Sequence, residues 1–237
     1  MIELPGATAG RSGRSGTALR VASWVGCLAV CIAAPVTAQL QPDEGLLSVA
    51  ETEALVRARY YEGMPRDLVE RIGPEGCEGL LALLGDPGES RHHDQVLIAI
   101  GVCAPDGALE AIDAWLAGLP QDEIDRPRFK AWLAVSHALA ALADRDLRAI
   151  DRLEERMLSP EAPGFRHGRH AGARLQRLQR DGAATGLAES GLPEALGVLD
   201  RAQLLTSDGE FVAHLQTLRT LHRERAAART LEGAVQP

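Results

Sequence analysis

The chain has 237 residues, of which 46% are hydrophobic and only 3% aromatic, and its formal net charge is −8 at pH 7. This length and hydrophobic content predict a folded chain with a sizeable core. The acidic balance argues against general nucleic-acid or anionic-membrane binding, because both ligands require a positively charged surface.

The first 38 residues have the layout of a secretory signal peptide. Arg11, Arg14 and Arg20 precede an apolar stretch over residues 21–36, which is short for a membrane span. Small residues then stand at the −3 and −1 positions of a cleavage site that ends at Ala38. We expect cleavage after Ala38, no stable membrane insertion afterwards, and a periplasmic or secreted protein.

Two other interpretations of the N-terminus stay open. Residues 21–36 would act as an uncleaved membrane anchor, or Cys27 or Cys31 would carry a lipid in a lipoprotein signal. The lipoprotein interpretation is weakened by the neighbours, because Trp24 stands three residues before Cys27 and Val30 directly before Cys31.

The part of the chain after the signal is more acidic than the whole. Residues 39–237 carry 22 basic and 32 acidic side chains, a net charge of −10, and Lys130 is the sole lysine of the chain. This bias towards arginine, with abundant alanine and glycine, is typical of a GC-rich bacterial genome. Clusters of arginine therefore carry less functional weight than usual.

Helical periodicity covers almost all of residues 49–228. Apolar residues recur at helical spacing, proline stands in the first turn at Pro65, and Ser207 with Glu210 fits a capping box. The predicted helices span residues 49–59, 65–72, 75–84, 91–103, 107–117, 128–143, 146–158, 166–180, 193–205 and 209–228.

Residues 75–117 show a repeat pattern. An apolar helix around Leu80 runs into the break Gly85-Asp86-Pro87-Gly88, and a second apolar helix ends in Gly101 before the turn at residues 104–107. This order resembles a HEAT repeat of the short bacterial type, the PBS-lyase HEAT-like repeat. The resemblance is specific over about residues 66–158 and weak beyond.

The resemblance implies an all-α fold, a right-handed α-solenoid of stacked antiparallel helix pairs that share one continuous core. Residues 39–237 would form this single domain. Leucines 80, 109, 147 and 196 are equivalent under this interpretation. Six glycines within residues 161–191 predict that the third repeat, around residues 146–180, is divergent.

Architecture of this kind does not name a reaction. The sequence has no Gly-x-Ser-x-Gly elbow, Walker loop or dinucleotide fingerprint. We therefore expect a binding or scaffold protein without cofactor or metal. Its expected partner is another protein, and an acidic protein is one candidate. The alternatives are a ligand carrier or a lyase-like enzyme with a pocket between helices, and a purely structural protein.

One arginine face stands out. A helix over residues 166–180 would place several cationic side chains within about 140° of arc, namely Arg166, Arg169, His170, Arg174, Arg177 and Arg180. This face predicts either a docking surface for an acidic partner or an ordinary solvated surface. In HEAT-like arrays the second helix of each pair lines the concave side, which adds Arg91, His92 and Arg128 as candidates.

The histidines give weak metal signals. His92 and His93 are adjacent and would point about 100° apart on a helix, whereas His167 and His170 have an i,i+3 spacing without a carboxylate nearby. His137 lies in a nearly all-apolar helix, so we interpret it as a hydrogen-bonded core histidine.

Cys77 and Cys103 are the two cysteines that remain after cleavage, and export favours a disulfide between them. Helical geometry argues against it, because Cys103 would lie about one turn, roughly 5–6 Å, away from the level of Cys77. Two buried, unbonded thiols are therefore the alternative.

Overall fold

The computed structural model describes residues 45–60, 63–158 and 161–235, and its regular structure is helical throughout. Three isolated bridges occur within these ranges, and none of them extends into a strand. The helices are α1 Val49–Arg57, α2 Arg66–Val69, α3 Pro74–Gly85, a 3₁₀ turn Pro87–His92, α4 His93–Cys103, α5 Ala108–Ala117, α6 Arg126–Leu142, α7 Arg148–Leu158, α8 Ala173–Ser190, α9 Pro193–Leu205 and α10 Gly209–Val235. The signal-peptide prediction concerns residues 1–38, which lie outside the described part of the chain.

Side chains that accept hydrogen bonds from free backbone N–H groups fix several helix starts. Ser48 and Glu51 form a reciprocal capping box at α1, and Asp125 caps α6 by accepting from the backbone N–H of Arg128 at 2.9 Å. The cap of α10 is Asp208, which accepts from the backbone N–H groups of the second and third residues after it. The capping box predicted at Ser207 was therefore wrong by one residue.

One layer consists of α4, α6, α8 and α10, and each of these helices packs against the next. Helices α4 and α6 run parallel, because Lys130 pairs with Asp94 at 3.1 Å near their starts while Gly101 touches Ala138 near their ends. The backbones come so close at this second point that a methyl group on Gly101 would lie 2.8 Å from the Cα of Ala138.

The same parallel relation continues along this layer. Between α6 and α8, Gly186 lies against the carbonyl oxygen of Ser136. Between α8 and α10, Arg180 pairs with Asp208 at 3.0 Å, and ten residues further along α8 Ser190 accepts a hydrogen bond from Arg229.

Helices α3, α5, α7 and α9 pack on the first layer, and ion pairs link α5 to α7 and α7 to α9. Three ion pairs join successive members: Arg148 with Glu110 at 2.8 Å, Arg152 with Asp113 at 2.9 Å, and Arg201 with Glu154 at 2.8 Å. The paired residues are 38, 39 and 47 positions apart in sequence. Helices at this spacing therefore occupy equivalent places.

A continuous apolar core lies between the layers. Its fully buried side chains include Leu55, Leu80, Leu97, Ile100, Ile112, Leu139, Leu153, Leu187, Leu199 and Leu215, which come from every helix pair. The predicted equivalence of Leu147 was wrong: it precedes α7 and is 53% exposed, and Ile150 and Leu153 fill the core instead.

The predicted helix over residues 166–180 was also wrong at its start. Gly168 and Gly172 adopt positive φ angles of +53° and +49°, which end any helix there. Residue 166 pairs instead with the loop before α6, donating its backbone N–H to Asp122 and accepting from Ile124. Helix α8 begins after this loop and runs to residue 190. Glycine at its centre allows it to pack closely on α6. The divergent segment is thus a loop followed by a long central helix.

A smaller apolar cluster lies under these paired loops. It is formed by buried Leu119, Ile124, Trp132, Phe165 and Leu175, with Phe129 packed against them. Phe129 stacks on the rings of both histidines in the loop, at centroid distances of 4.5 and 5.3 Å. The loops are therefore fixed by packing as well as by backbone hydrogen bonds.

Candidate functional site

A polar groove runs across the ends of the parallel helices. Two adjoining cavities of about 670 and 380 Å³ share Arg66, Val102, Ala141 and Asp144. We call their combined lining the end groove. Its other lining residues are Val69, Glu70, Ile72, Cys77, Cys103, His137, Ala140, Arg145, Glu189, Ser190, Arg225, Ala228 and Arg229.

His137 and Glu189 form an ion pair at the centre of the groove. The Nδ1 atom of His137 lies 2.8 Å from a carboxylate oxygen of Glu189, and about half of the histidine side chain is exposed. The hydrogen bond to Glu189 raises the pKa of His137 above its usual value, against a smaller opposing effect of burial. The prediction that His137 is a core histidine was therefore wrong.

Arg229 ties the groove walls together. Its guanidinium pairs with Asp144 at 2.6 Å, just beyond the end of α6, and donates a hydrogen bond to the carbonyl oxygen of Ser190 at the end of α8. Arg66 on the opposite wall pairs with Glu70 at 2.7 Å. In each pair the acidic side chain neutralises the charge of its arginine.

Two groove arginines differ from these. Within the described ranges, no carboxylate lies within ion-pairing distance of Arg145 or Arg225. Glu70, Asp144 and Glu189 already have basic partners. The groove therefore carries excess positive charge, although the chain as a whole is acidic.

The disulfide lies at one end of the groove. Cys77 and Cys103 are bonded, with their Cα atoms 5.9 Å apart, inside the range that disulfides allow. The expected mismatch of one turn was wrong because the connection between the helices is longer than assumed. Helix α3 ends at Gly85 and α4 begins only at His93, so the centre of the turn moves towards α4 and the offset of Cys103 from the level of Cys77 falls to about two residues, roughly 3 Å.

The predicted arginine face does not exist as one surface. Arg166 and Arg169 lie in the loop before α8, and Arg166 pairs with Glu123 at 3.0 Å. Arg174, Arg177 and Arg180 lie on the first turns of α8. His170 belongs to the loop as well, where its backbone forms a tight turn with residue 167.

Acidic residues at the start of α10 pair with two of the three helical arginines of that set. Arg180 pairs with Asp208 and stacks on Phe211, with its guanidinium carbon 3.9 Å from the ring centroid. Arg177 lies 3.7 Å from the carboxylate of Glu210. Arg180 is thus a packing residue rather than a free cation.

The remaining predicted binding residues lie away from the end groove. Arg91 and His92 are in the 3₁₀ turn before α4, and partial burial lowers the pKa of His92. Arg128 is in the first turn of α6, paired with its own cap Asp125 at 3.1 Å. All three therefore lie at the opposite ends of the second helices from the end groove.

His93 is the buried histidine of the tandem pair. Its Nε2 donates to the carbonyl oxygen of Asp86 at 3.0 Å, and its Nδ1 accepts from the indole N–H of Trp115 at 2.9 Å. Both ring nitrogens are thus used in structural hydrogen bonds. In the described part of the chain no three metal-ligating side chains come together.

Sequence reasoning missed most of the end groove. His137, Glu189, Asp144, Arg225 and Arg229 come from three helices and a helix end that are far apart in sequence. A signal for His137 was present, since it and Leu133, four residues earlier, are the exposed positions in the middle of an otherwise buried helix.

No protein-family model, curated protein or solved structure matches this chain. Within the described residues, none of the helices combines the length and the apolar character that a bilayer span requires.

Proposed function

We propose that this chain is an exported HEAT-like α-solenoid that binds another protein through its end groove. The two layers of helices support the solenoid, because the successive helices α4, α6, α8 and α10 run parallel and the ion pairs of the other layer join residues 38 to 47 positions apart. Such a spacing is typical of HEAT repeats, in which each helix pair buries its apolar stripe against its neighbours.

Charge selects the class of partner. Arg145 and Arg225 lack carboxylate partners among the described residues. Every acidic side chain of the groove, in contrast, already has a basic partner. The groove therefore favours a protein segment that carries Asp or Glu. The acidic remainder of the chain repels such a segment only weakly, since salt screens charges beyond about 8 Å at physiological ionic strength.

Charge reversal in two matched pairs tests this proposal. Arg145→Glu with Arg225→Glu changes the groove, and Arg169→Glu with Arg174→Glu makes the same change of charge on exposed arginines elsewhere. We expect the first variant to lose the proteins that the wild type captures from the native envelope, and the second to keep them. Loss of capture by the second variant alone would assign binding to the loop before α8, and equal capture by both variants would refute the proposal.

Export is tested separately. The basic residues before position 21, the apolar stretch and the residues before Gln39 support a cleaved signal, and the disulfide fits an oxidising compartment. N-terminal sequencing of protein from the native host should start at Gln39. Membrane-bound protein that retains residues 21–36 would contradict this.

A further inference from the structure

A second cavity, separate from the end groove, lies between the two helix layers. It has a volume of about 380 Å³ and is lined by Asp113 and Leu116 of α5, Leu139 of α6, Arg152, Glu155 and Arg156 of α7, and Gln179 of α8. Leu139 is almost fully buried, so the cavity reaches the core. Its size falls within the range of small-molecule pockets.

Arg156 is the unusual residue of this cavity. Its Nε atom is buried and has no hydrogen-bond partner. Burial lowers the pKa of Arg156 to about 10, against a smaller opposing effect of Asp113. Arg156 as a whole is half-buried, and a cation drawn partly out of water normally has a carboxylate partner, because desolvation of an ion is costly.

Comparison with Arg219 shows what is missing. The Nε atom of Arg219 is likewise buried without a well-aligned hydrogen bond, but it lies 3.0 Å from the carboxylate of Asp200. Arg156 has no carboxylate within ion-pairing distance in the described part of the chain. The acid that acts on it most, Asp113, is held by Arg152 at 2.9 Å.

The other contacts of Arg156 hold it in place without satisfying it. Its guanidinium carbon lies 5.9 Å from the ring centroid of Trp132, at the outer limit of a cation–π contact. Gln179 donates its side-chain N–H to the backbone carbonyl of Arg156 at 3.2 Å. The Gln179 contact positions the backbone of Arg156, and the Nε donor of its side chain stays unused.

We propose that this cavity binds a small organic carboxylate, with Arg156 as its counter-ion. Asp113 and Glu155 both pair with Arg152, so the lining as a whole is neutral, but neither acid lies within ion-pairing distance of Arg156. A single carboxylate would supply that missing contact with the smallest added charge. A phosphate dianion would add negative charge beside these two acids. The apolar part of the ligand would contact the leucines that line the cavity.

Hexanoate is a suitable probe, and neutral hexanamide is its matched control. Titration calorimetry at constant ionic strength should show saturable binding of hexanoate to the wild-type protein and at least tenfold weaker binding of hexanamide and inorganic phosphate. Arg156→Met should weaken hexanoate binding at least tenfold. Arg169→Met, which removes an exposed arginine outside the cavity, should leave it unchanged.

The thermal stability of the variants separates a binding role from a structural one. Without ligand, Arg156→Met should melt at the same or a higher temperature than the wild type, because a half-buried guanidinium without a carboxylate partner is replaced by an apolar group. Hexanoate should raise the melting temperature of the wild type and not that of Arg156→Met. If Arg156→Met does not fold, Arg156→Lys keeps the charge and should bind more weakly than the wild type. The proposal is refuted if hexanoate fails to bind the wild type, or if it binds a folded Arg156 variant equally well.

Discussion

Two glycines in α8 allow a sharp test of how closely the parallel helices approach. A methyl group on Gly186 would lie 2.6 Å from the carbonyl oxygen of Ser136 and 3.1 Å from a methyl of Leu153. On Gly182, one turn earlier, the nearest atom outside the helix would be the hydroxyl of Ser136 at 3.6 Å, an ordinary contact. The two substitutions to alanine therefore differ in packing while they share the same helix and the same neighbour.

The two substitutions should change the free energy of unfolding differently. Alanine in place of glycine stabilises a helix interior by about 1 kcal/mol. Gly182→Ala should realise most of this gain. Gly186→Ala must in addition displace a backbone carbonyl, and such overpacking costs about 1–3 kcal/mol. We therefore expect Gly186→Ala to be about 1–3 kcal/mol less stable than Gly182→Ala.

Urea unfolding followed by circular dichroism measures this difference, since a shift of midpoint at constant slope reports a change in stability. In thermal unfolding the same difference corresponds to roughly 2–4 °C for each kcal/mol in a chain of this size. Gly101→Ala, whose methyl would meet the backbone of α6, should be destabilised as well. Equal stability of the two α8 variants would show that α6 and α8 are further apart than described.

Two more predictions concern the groove. Replacing both Cys77 and Cys103 by alanine opens a loop with a sequence separation of 26 residues and should cost about 3.5 kcal/mol in the chain-entropy model; two alkylated thiols in the unreduced wild type would instead show that no bond forms. The pKa of His137 is raised by Glu189, so the ion pair stabilises the fold fully below about pH 6.5 and less as the pH rises through the raised pKa. Because half of the His137 side chain is exposed, Glu189→Gln should cost less than about 1 kcal/mol at pH 5.5 and still less at pH 8.5, and a cost that does not change with pH would contradict the assignment.

Local signals predicted the helices well where glycine and proline mark their ends. The break at residues 85–88 lies where α3 ends, and Pro193 stands at the start of α9 as expected. The segment over residues 166–172 was misjudged, because its arginines and histidines are compatible with a helix. Two glycines with positive φ decide its conformation, whereas Gly186 in α8 serves tertiary packing. Composition alone does not separate these two uses of glycine.

The end groove could not be predicted from the sequence for a different reason. Periodicity describes one helix at a time, but the groove joins the end of α6 to residues from α2, α4, α8 and α10. His137 was assigned to the core because alanines surround it in sequence. Those alanines are buried since their small size lets three helices approach closely, which leaves one narrow exposed strip that holds the histidine.

The hydrogen bonds between the loops before α6 and α8 have an evolutionary consequence. Residues 122–124 and residue 166 share two backbone hydrogen bonds, so an insertion in one loop shifts the register of the other. Both loops also cover the same aromatic cluster, and a change in either one would expose Trp132 or Phe165. The lengths of the two loops should therefore vary together among relatives of this chain.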